Sequence, residues 1–158
     1  MLKKILSPET CSKCRVCCVF DKNDVWEIPL ISEEIYNNIS TERPELIMIP
    51  RGEKSHVFDM QFKEDGLTYC PALSENGCTL GENKPFDCRI WPFRVMKKEN
   101  SLVITISPVC EHIDPESYDV TELSETLAPI IFEEAEKNPD IIKEYIDGYP
   151  IVAIKDRL

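Results

Sequence analysis

Glycine and histidine are scarce in this 158-residue chain, which has five of one and two of the other. With so few glycines the sequence offers no glycine-rich loop to cradle a nucleotide phosphate, and no P-loop is present. The two histidines, His56 and His112, form neither a zinc-protease helix nor a local Cys-His catalytic signature. Long apolar runs are missing too. No uncharged stretch approaches the roughly 20 residues that span a bilayer. At the start, Lys3 and Lys4 are followed only by Ile5 and Leu6 before Ser7 and Pro8. That is short of the about 7–15 apolar residues of a signal-peptide core. Basic charge is the last shortage: 18 Lys and Arg stand against 29 Asp and Glu, a net charge of −11. Such a surface repels nucleic-acid phosphates and anionic membranes, so neither is expected as a partner.

Against these absences stand eight cysteines. The missing signal core points to a cytoplasmic setting, where thiols stay reduced and serve metal binding or chemistry more often than disulfides. The competing reading of an even count is four disulfides. The cysteines fall into two groups, Cys11, Cys14, Cys17 and Cys18, then Cys70, Cys78, Cys88 and Cys110, with 51 cysteine-free residues between them and 48 after them. Length and composition suit one domain over 1–158, with a cysteine core at about 11–112 and a tail at about 115–158.

Patterning along the chain predicts an α+β fold with short antiparallel hairpins around a cysteine-lined, metal-binding core. Val25 to Leu30 reads as a strand, and Ser32 before Glu33 and Glu34 as the N-cap of a helix running to about Ile39. Phe58, Met60 and Phe62 alternate with Val57, Asp59 and Gln61, the period-two signature of a strand. Asp65-Gly66 would turn that strand into a partner ending at Cys70. A second hairpin pairs Ile90–Val95 with Leu102–Ser107 across Lys97-Lys98-Glu99-Asn100. The tail reads as helical: Leu123, Leu127, Ile130, Ile131 and Ala135 recur at helix spacing, with Pro129 expected to kink or divide the helix. Asn138-Pro139 would open a further short helix ending near Gly148, with Ile141, Ile142, Tyr145 and Ile146 on its apolar face.

Cys11-x2-Cys14-x2-Cys17 sets three thiols at intervals of three, the run with which bacterial ferredoxins hold three corners of a four-iron cluster. Those runs continue through three residues to Cys-Pro, whereas here Cys18 follows at once. In the second group, Asn76-Gly77 supplies a positive-φ turn just before Cys78. Lys84-Pro85-Phe86-Asp87-Cys88-Arg89 sets a guanidinium beside a thiol. Arg89 can offset the negative charge of a thiolate centre as a neighbour hydrogen-bonding a sulfur, or form an ordinary surface ion pair. His112, two residues after Cys110, is the alternative imidazole ligand, although eight cysteines already make two sets of four. Because adjacent side chains diverge, Cys11, Cys14 and Cys17 are expected at one centre and Cys18 at another or in packing. Trp26 and Trp91 are expected to shield the centre from water.

These blocks, Cys-x2-Cys-x2-Cys-Cys at 11–18, Cys70-Pro71-x-Leu73, Cys78 and Lys84-Pro85-x-x-Cys88-Arg89-x-x-Pro92-Phe93, resemble the CxxCxxCC cysteine-cluster family (YkgJ type), a zinc- or iron-chelating domain. The resemblance runs over about residues 11–112, with Cys110 matching the last of eight family cysteines. The family usually carries an aromatic residue and proline directly after Cys-Arg, where this chain has Ile90-Trp91-Pro92. The resemblance implies metal binding by Cys11, Cys14, Cys17, Cys18, Cys70, Cys78, Cys88 and Cys110, with an iron–sulfur cluster (4Fe-4S) or zinc as cofactor. One relative is a flagellin lysine N-methylase with the pattern inside a longer chain, but the sequence shows no loop for S-adenosylmethionine. The functions in view are an iron–sulfur protein with a redox or enzyme-supporting role, a structural zinc module presenting a surface to a protein partner, and a metal-trafficking protein or part of a lysine N-methylation system. The sequence names no catalytic residue.

Overall fold

The order of elements follows from a few local signals, seen in a computed structural model that describes residues 6–156 and all their side chains except those of Pro8, Tyr118, Leu123 and Asp156. Lys3, Lys4 and Ile5 thus lie outside the described residues. The fold mixes α-helices with mainly antiparallel sheets. Two compact units are present, Pro8–Cys88 and Arg89–Leu158 together with Met1–Ser7, so the expected cysteine core of 11–112 runs across their division. Among the described residues no helix is long and apolar enough to cross a membrane.

Unit Pro8–Cys88 opens with helix α1 (Pro8–Cys14) and a 3-10 turn at Val16–Cys18, then strand β1 (Val19–Asp21). Val25–Leu30 is not the expected strand: Val25–Glu27 form a 3-10 turn, and the chain becomes a strand only at β2 (Ile31–Ser32). The serine cap is as read. Ser32 Oγ accepts from Ile35 N at 3.5 Å and starts helix α2 (Glu33–Glu42). Two glutamates in its first turn favour the positive end of the helix dipole. Pro44 disfavours helical backbone at the residue before it, and Arg43 leaves the helix with φ −136. Strands β3 (Met48–Arg51) and β4 (Ser55–Phe58) pair antiparallel, and β2 joins the other edge of β4. Ile31, Ile39, Leu46, Phe58, Ala72 and Leu80 form the buried apolar cluster, with Ile35, Tyr36, Cys70 and Cys78 packed against it.

The period-two run 57–62 therefore ends as a strand at Phe58. Asp65-Gly66 does make a turn, with Gly66 at φ 81. Its strand β5 (Leu67–Tyr69), however, pairs with β1, not with the run before it. The smallest ribbon, β6 (Leu73–Ser74) with β7 (Gly77–Cys78), closes through Gly77 at φ 101, a conformation that side-chain-bearing residues avoid.

Helix α3 (Phe86–Ile90) spans the division between the units. Unit Arg89–Leu158 centres on the expected second hairpin, β8 (Phe93–Lys98) with β9 (Ser101–Ile106), in register Phe93↔Ile106 to Lys98↔Ser101. The tail is helical as expected up to Lys137 and departs from that reading beyond it. Helix α4 (Tyr118–Lys137) is a single 20-residue helix that contains Pro129. It buries Val120, Ser124, Leu127, Ile131 and Ala135, while Ile130 is exposed and the Leu123 side chain lies outside the described set. Beyond it, Pro139–Ile141 makes one 3-10 turn only, and the chain then adds β10 (Lys143–Glu144) parallel to β8 and β11 (Ile151–Asp156) antiparallel to β9. The open edges of the hairpin override the local helix signals. The β-branched residues of Ile151-Val152-Ala153-Ile154 suit the strand they form.

Ile104 is 1% exposed on β9 and Ile154 63% exposed on β11. Ile104→Ala is expected to lower unfolding free energy by about 2–5 kcal/mol, and Ile154→Ala by no more than about 0.5 kcal/mol. Denaturant unfolding of the two variants checks the difference.

Candidate metal centre

Helix α1 carries Cys11 and Cys14 three residues apart, on one side of a short helix. Arg15 then takes left-handed backbone, φ 59 and ψ 4, which ends the helix and redirects the chain into the turn holding Cys17 and Cys18. The sulfurs of Cys17 and Cys18 stand 3.9 Å apart. The expectation that neighbouring thiols diverge holds unless the backbone turns sharply, and here both lie in one 3-10 turn, Val16–Cys18, so their sulfurs meet.

The β1–β5 pairing brings in the second group. Val19 faces Tyr69, and one step outward Cys70 N donates to Cys18 O at 2.8 Å. Leu73 N donates to Cys70 O at 3.0 Å and Leu73 pairs with Cys78, which ties the short β6–β7 ribbon to the same place. Helix α1 packs on β7: a Cβ added at Gly77 would lie 3.5 Å from Ser12 Cβ. Cys11, Cys14, Cys17, Cys18, Cys70 and Cys78 thus sit on adjoining elements of one unit. Cys88 belongs to the same unit, on α3, and is exposed. Cys110 is buried in the other unit, where its N donates to Ser107 O at 3.3 Å. None of the eight is in a disulfide. Among the described residues no group of three or more His, Cys, Asp or Glu side chains is arranged to hold a metal ion.

Burial pushes the Cys70 thiol up to about 11 from an ordinary 9.0. A hydrogen bond from the Ala72 backbone works against that rise, and the charges of Cys78 and Cys17 add to it. Cys70 is therefore protonated near neutrality and feels two other sulfurs of the candidate centre.

Two residues that sequence reasoning passed over hold this region together. Arg15 Nε donates to Ser12 O at 2.8 Å, and its Nη2 donates to Glu75 O, tying the end of α1 to the β6–β7 turn. Asp87 is 3% exposed, and its Oδ2 accepts from Leu30 N at 3.2 Å, fixing the start of α3 against the strand leading to β2. An arginine beside Cys14 reads as surface charge, and an aspartate beside Cys88 reads as an ordinary first-turn acid. Only the fold marks them. Arg89 is exposed on α3.

The histidines and tryptophans have local settings of their own. His112 is exposed. His56 stacks on Tyr36 with ring centroids 3.8 Å apart. Trp91 lies under the Arg94 guanidinium at 4.5 Å, and Trp26 is half-buried.

No family model matches the chain, and no curated protein or solved structure matches it.

In the metal-free protein, Cys70 is expected to be alkylated last of the half-buried cysteines at pH 7–8, with its rate climbing toward pH 11. Thiol-specific labelling read by peptide mass spectrometry checks this. The linkage sign follows from the raised value. Below pH 9 both folded and unfolded chains keep this proton, so its contribution is fully present. Between 9 and about 11 only the unfolded chain releases it, so stability falls as pH rises through that window.

Proposed function

We propose that the protein binds a metal centre through cysteine thiolates in a reducing, cytoplasmic setting, serving an iron–sulfur redox or enzyme-supporting role or a structural zinc role toward a protein partner. The single observation that carries this reading is the approach of two cysteine groups that 51 intervening residues separate in sequence. Cys18 and Cys70 are joined by a backbone hydrogen bond of 2.8 Å, and α1 and β7 bring Cys11, Cys14 and Cys78 to adjoining elements. Thiolates suit zinc and iron–sulfur clusters alike. Resemblance to the CxxCxxCC cysteine-cluster family points the same way, and Cys88 and Cys110 enter the ligand set on that resemblance. When bound, the ion supplies cross-linking, or the cluster a site for one electron. The chain supplies the thiols, burial of Cys70 and Cys78 against the apolar cluster, and the Arg15 tie between α1 and the β6–β7 turn. Arg89, next to Cys88, is assigned to charge compensation near a thiolate.

Anaerobic purification followed by a visible spectrum and elemental analysis tests the reading. Zinc without colour, or iron with sulfide and a brown colour, is the expected result at one or more centres per chain. A colourless, metal-free protein with four disulfides overturns it.

Because an unfolded chain has no assembled site, metal-binding free energy is partly folding free energy. Removing the metal is expected to accelerate amide exchange in residues 8–88, with β1 and β5 most affected, and to leave β8, β9 and α4 protected. Exchange that is the same with and without metal across 8–88 would count against a centre there.

A further inference from the structure

Cys17 and Cys18 are neighbours in sequence, and the usual expectation for neighbours is that they serve different purposes. Their sulfurs instead stand 3.9 Å apart. Besides the thiol–thiol hydrogen bond that the pair makes in the metal-free chain, three chemical relations are open to it. A disulfide needs the sulfurs at about 2.0 Å and Cα atoms usually at about 4.4–6.8 Å, whereas adjacent Cα atoms across a trans peptide are about 3.8 Å apart. Closing this pair into a disulfide therefore works against the backbone. Two corners of a four-iron cluster put each thiolate on its own iron, with metal–sulfur bonds directed away from one another, so the sulfurs stand further apart than two thiolates on one metal. Two ligands of one tetrahedral ion, with metal–sulfur bonds of about 2.3 Å, stand about 3.8 Å apart. The observed gap is that of a thiol–thiol hydrogen bond and matches the third relation, so the pair can take up an ion without moving apart.

We propose that Cys17 and Cys18 clamp one four-coordinate ion of zinc-like, thiophilic chemistry, with Cys70 and Cys78 as the remaining ligands. This rests on the reading that thiolates here bind a metal, and it fixes the kind of centre and which thiols share it. The left-handed Arg15 and the 3-10 turn after it set the pair. Cys70 N to Cys18 O, at 2.8 Å, seats the third thiol across the β1–β5 ribbon. Cys78 follows through Leu73, which is bonded to Cys70 O and paired with Cys78. Rotation of the Cys70 and Cys78 side chains completes the shell, since no three donors are yet arranged as a site among the described residues. Each thiol that binds passes its proton to solvent, so four thiols and a divalent ion give a dianionic centre and four released protons. The centre joins the two cysteine groups instead of gathering the Cys11-x2-Cys14-x2-Cys17 run.

Cobalt titration of the metal-free full-length chain, without oxygen, tests the clamp, because tetrahedral thiolate cobalt has strong visible bands. Cys17→Ser and Cys18→Ser are each expected to abolish the same band, and the double variant to lose one bound ion, not two. A second measurement guards against variants that fail to fold. X-ray absorption of the zinc-loaded natural chain should show sulfur neighbours at about 2.3 Å and no nearby metal scatterer at this centre. Loss of different bands in the two variants, persistence of the band in either one, or an iron–iron vector in a centre that depends on both cysteines overturns the shared clamp while leaving a thiolate metal protein. A natural chain that binds neither cobalt, zinc nor iron overturns both readings.

Discussion

The antiparallel contact between Val19–Asp21 and Leu67–Tyr69 is the constraint on which the candidate centre depends. It closes a 51-residue separation between the two cysteine groups, an ordering cost that grows as 1.5 RT ln n and comes to about 3.5 kcal/mol before the constant term. Two strands of three residues do not meet that cost alone, since isolated two-stranded ribbons are marginal in water. The contact is extended by Lys22 N to Gly66 O at 2.9 Å, and Lys63 N to Leu67 O at 3.1 Å closes the turn before β5. It is anchored because Cys70, just beyond β5, packs on the cluster of Ile31, Ile39, Phe58 and Leu80. An ion held as proposed, by thiols just before β1, just after β5 and on β7, would stabilise the same closure. Cys70 and Cys78 both pack against the apolar cluster, so on the proposed reading the same two residues would serve core and centre.

What the sequence made legible is what local signals decide. Ser32 before two glutamates gave a capped helix, and it runs three residues past Ile39 only because Pro44 lies where it does. Two apolar runs flanking a charged tetrapeptide gave the β8–β9 hairpin. Where partners are chosen over distance, the reading failed. Asp65-Gly66 makes its turn, yet the strand after it finds β1, because Asp59 N already donates to Ile47 O and the chain before the turn is committed to β3. The end of the tail failed for a related reason. Asn138-Pro139 begins a turn of helix as its chemistry requires, but β8 and β9 each offer an open edge, and the last residues add strands there.

The site divides along the same line. Cysteine spacing singled out the candidate thiols, four of them within residues 11–18. Spacing could not tell their directions. The decisive conformations are Arg15 in the left-handed region and the 3-10 turn after it, and neither is written in composition: arginine has no preference for positive φ as glycine does. Arg15 holds that conformation because its guanidinium satisfies carbonyls at Ser12 and Glu75, sixty residues apart from it in the second case. A long-range contact therefore sets a local turn, and the turn sets the sulfur pair.

The chemistry of the reduced state agrees with that placement. Thiol–disulfide exchange requires a thiolate, an accessible sulfur and a backbone that tolerates the product. Cys70 lacks the first near neutrality, held protonated by its burial. The Cys17–Cys18 pair lacks the third, because adjacent Cα atoms are closer than disulfides prefer. A metal ion faces neither obstacle. Bound as proposed, it would take two sulfurs at their existing separation, and its charge would offset the burial that raises the Cys70 thiol, drawing the proton off as the bond forms. The features that make these cysteines poor disulfide partners are therefore the ones that leave them available as ligands.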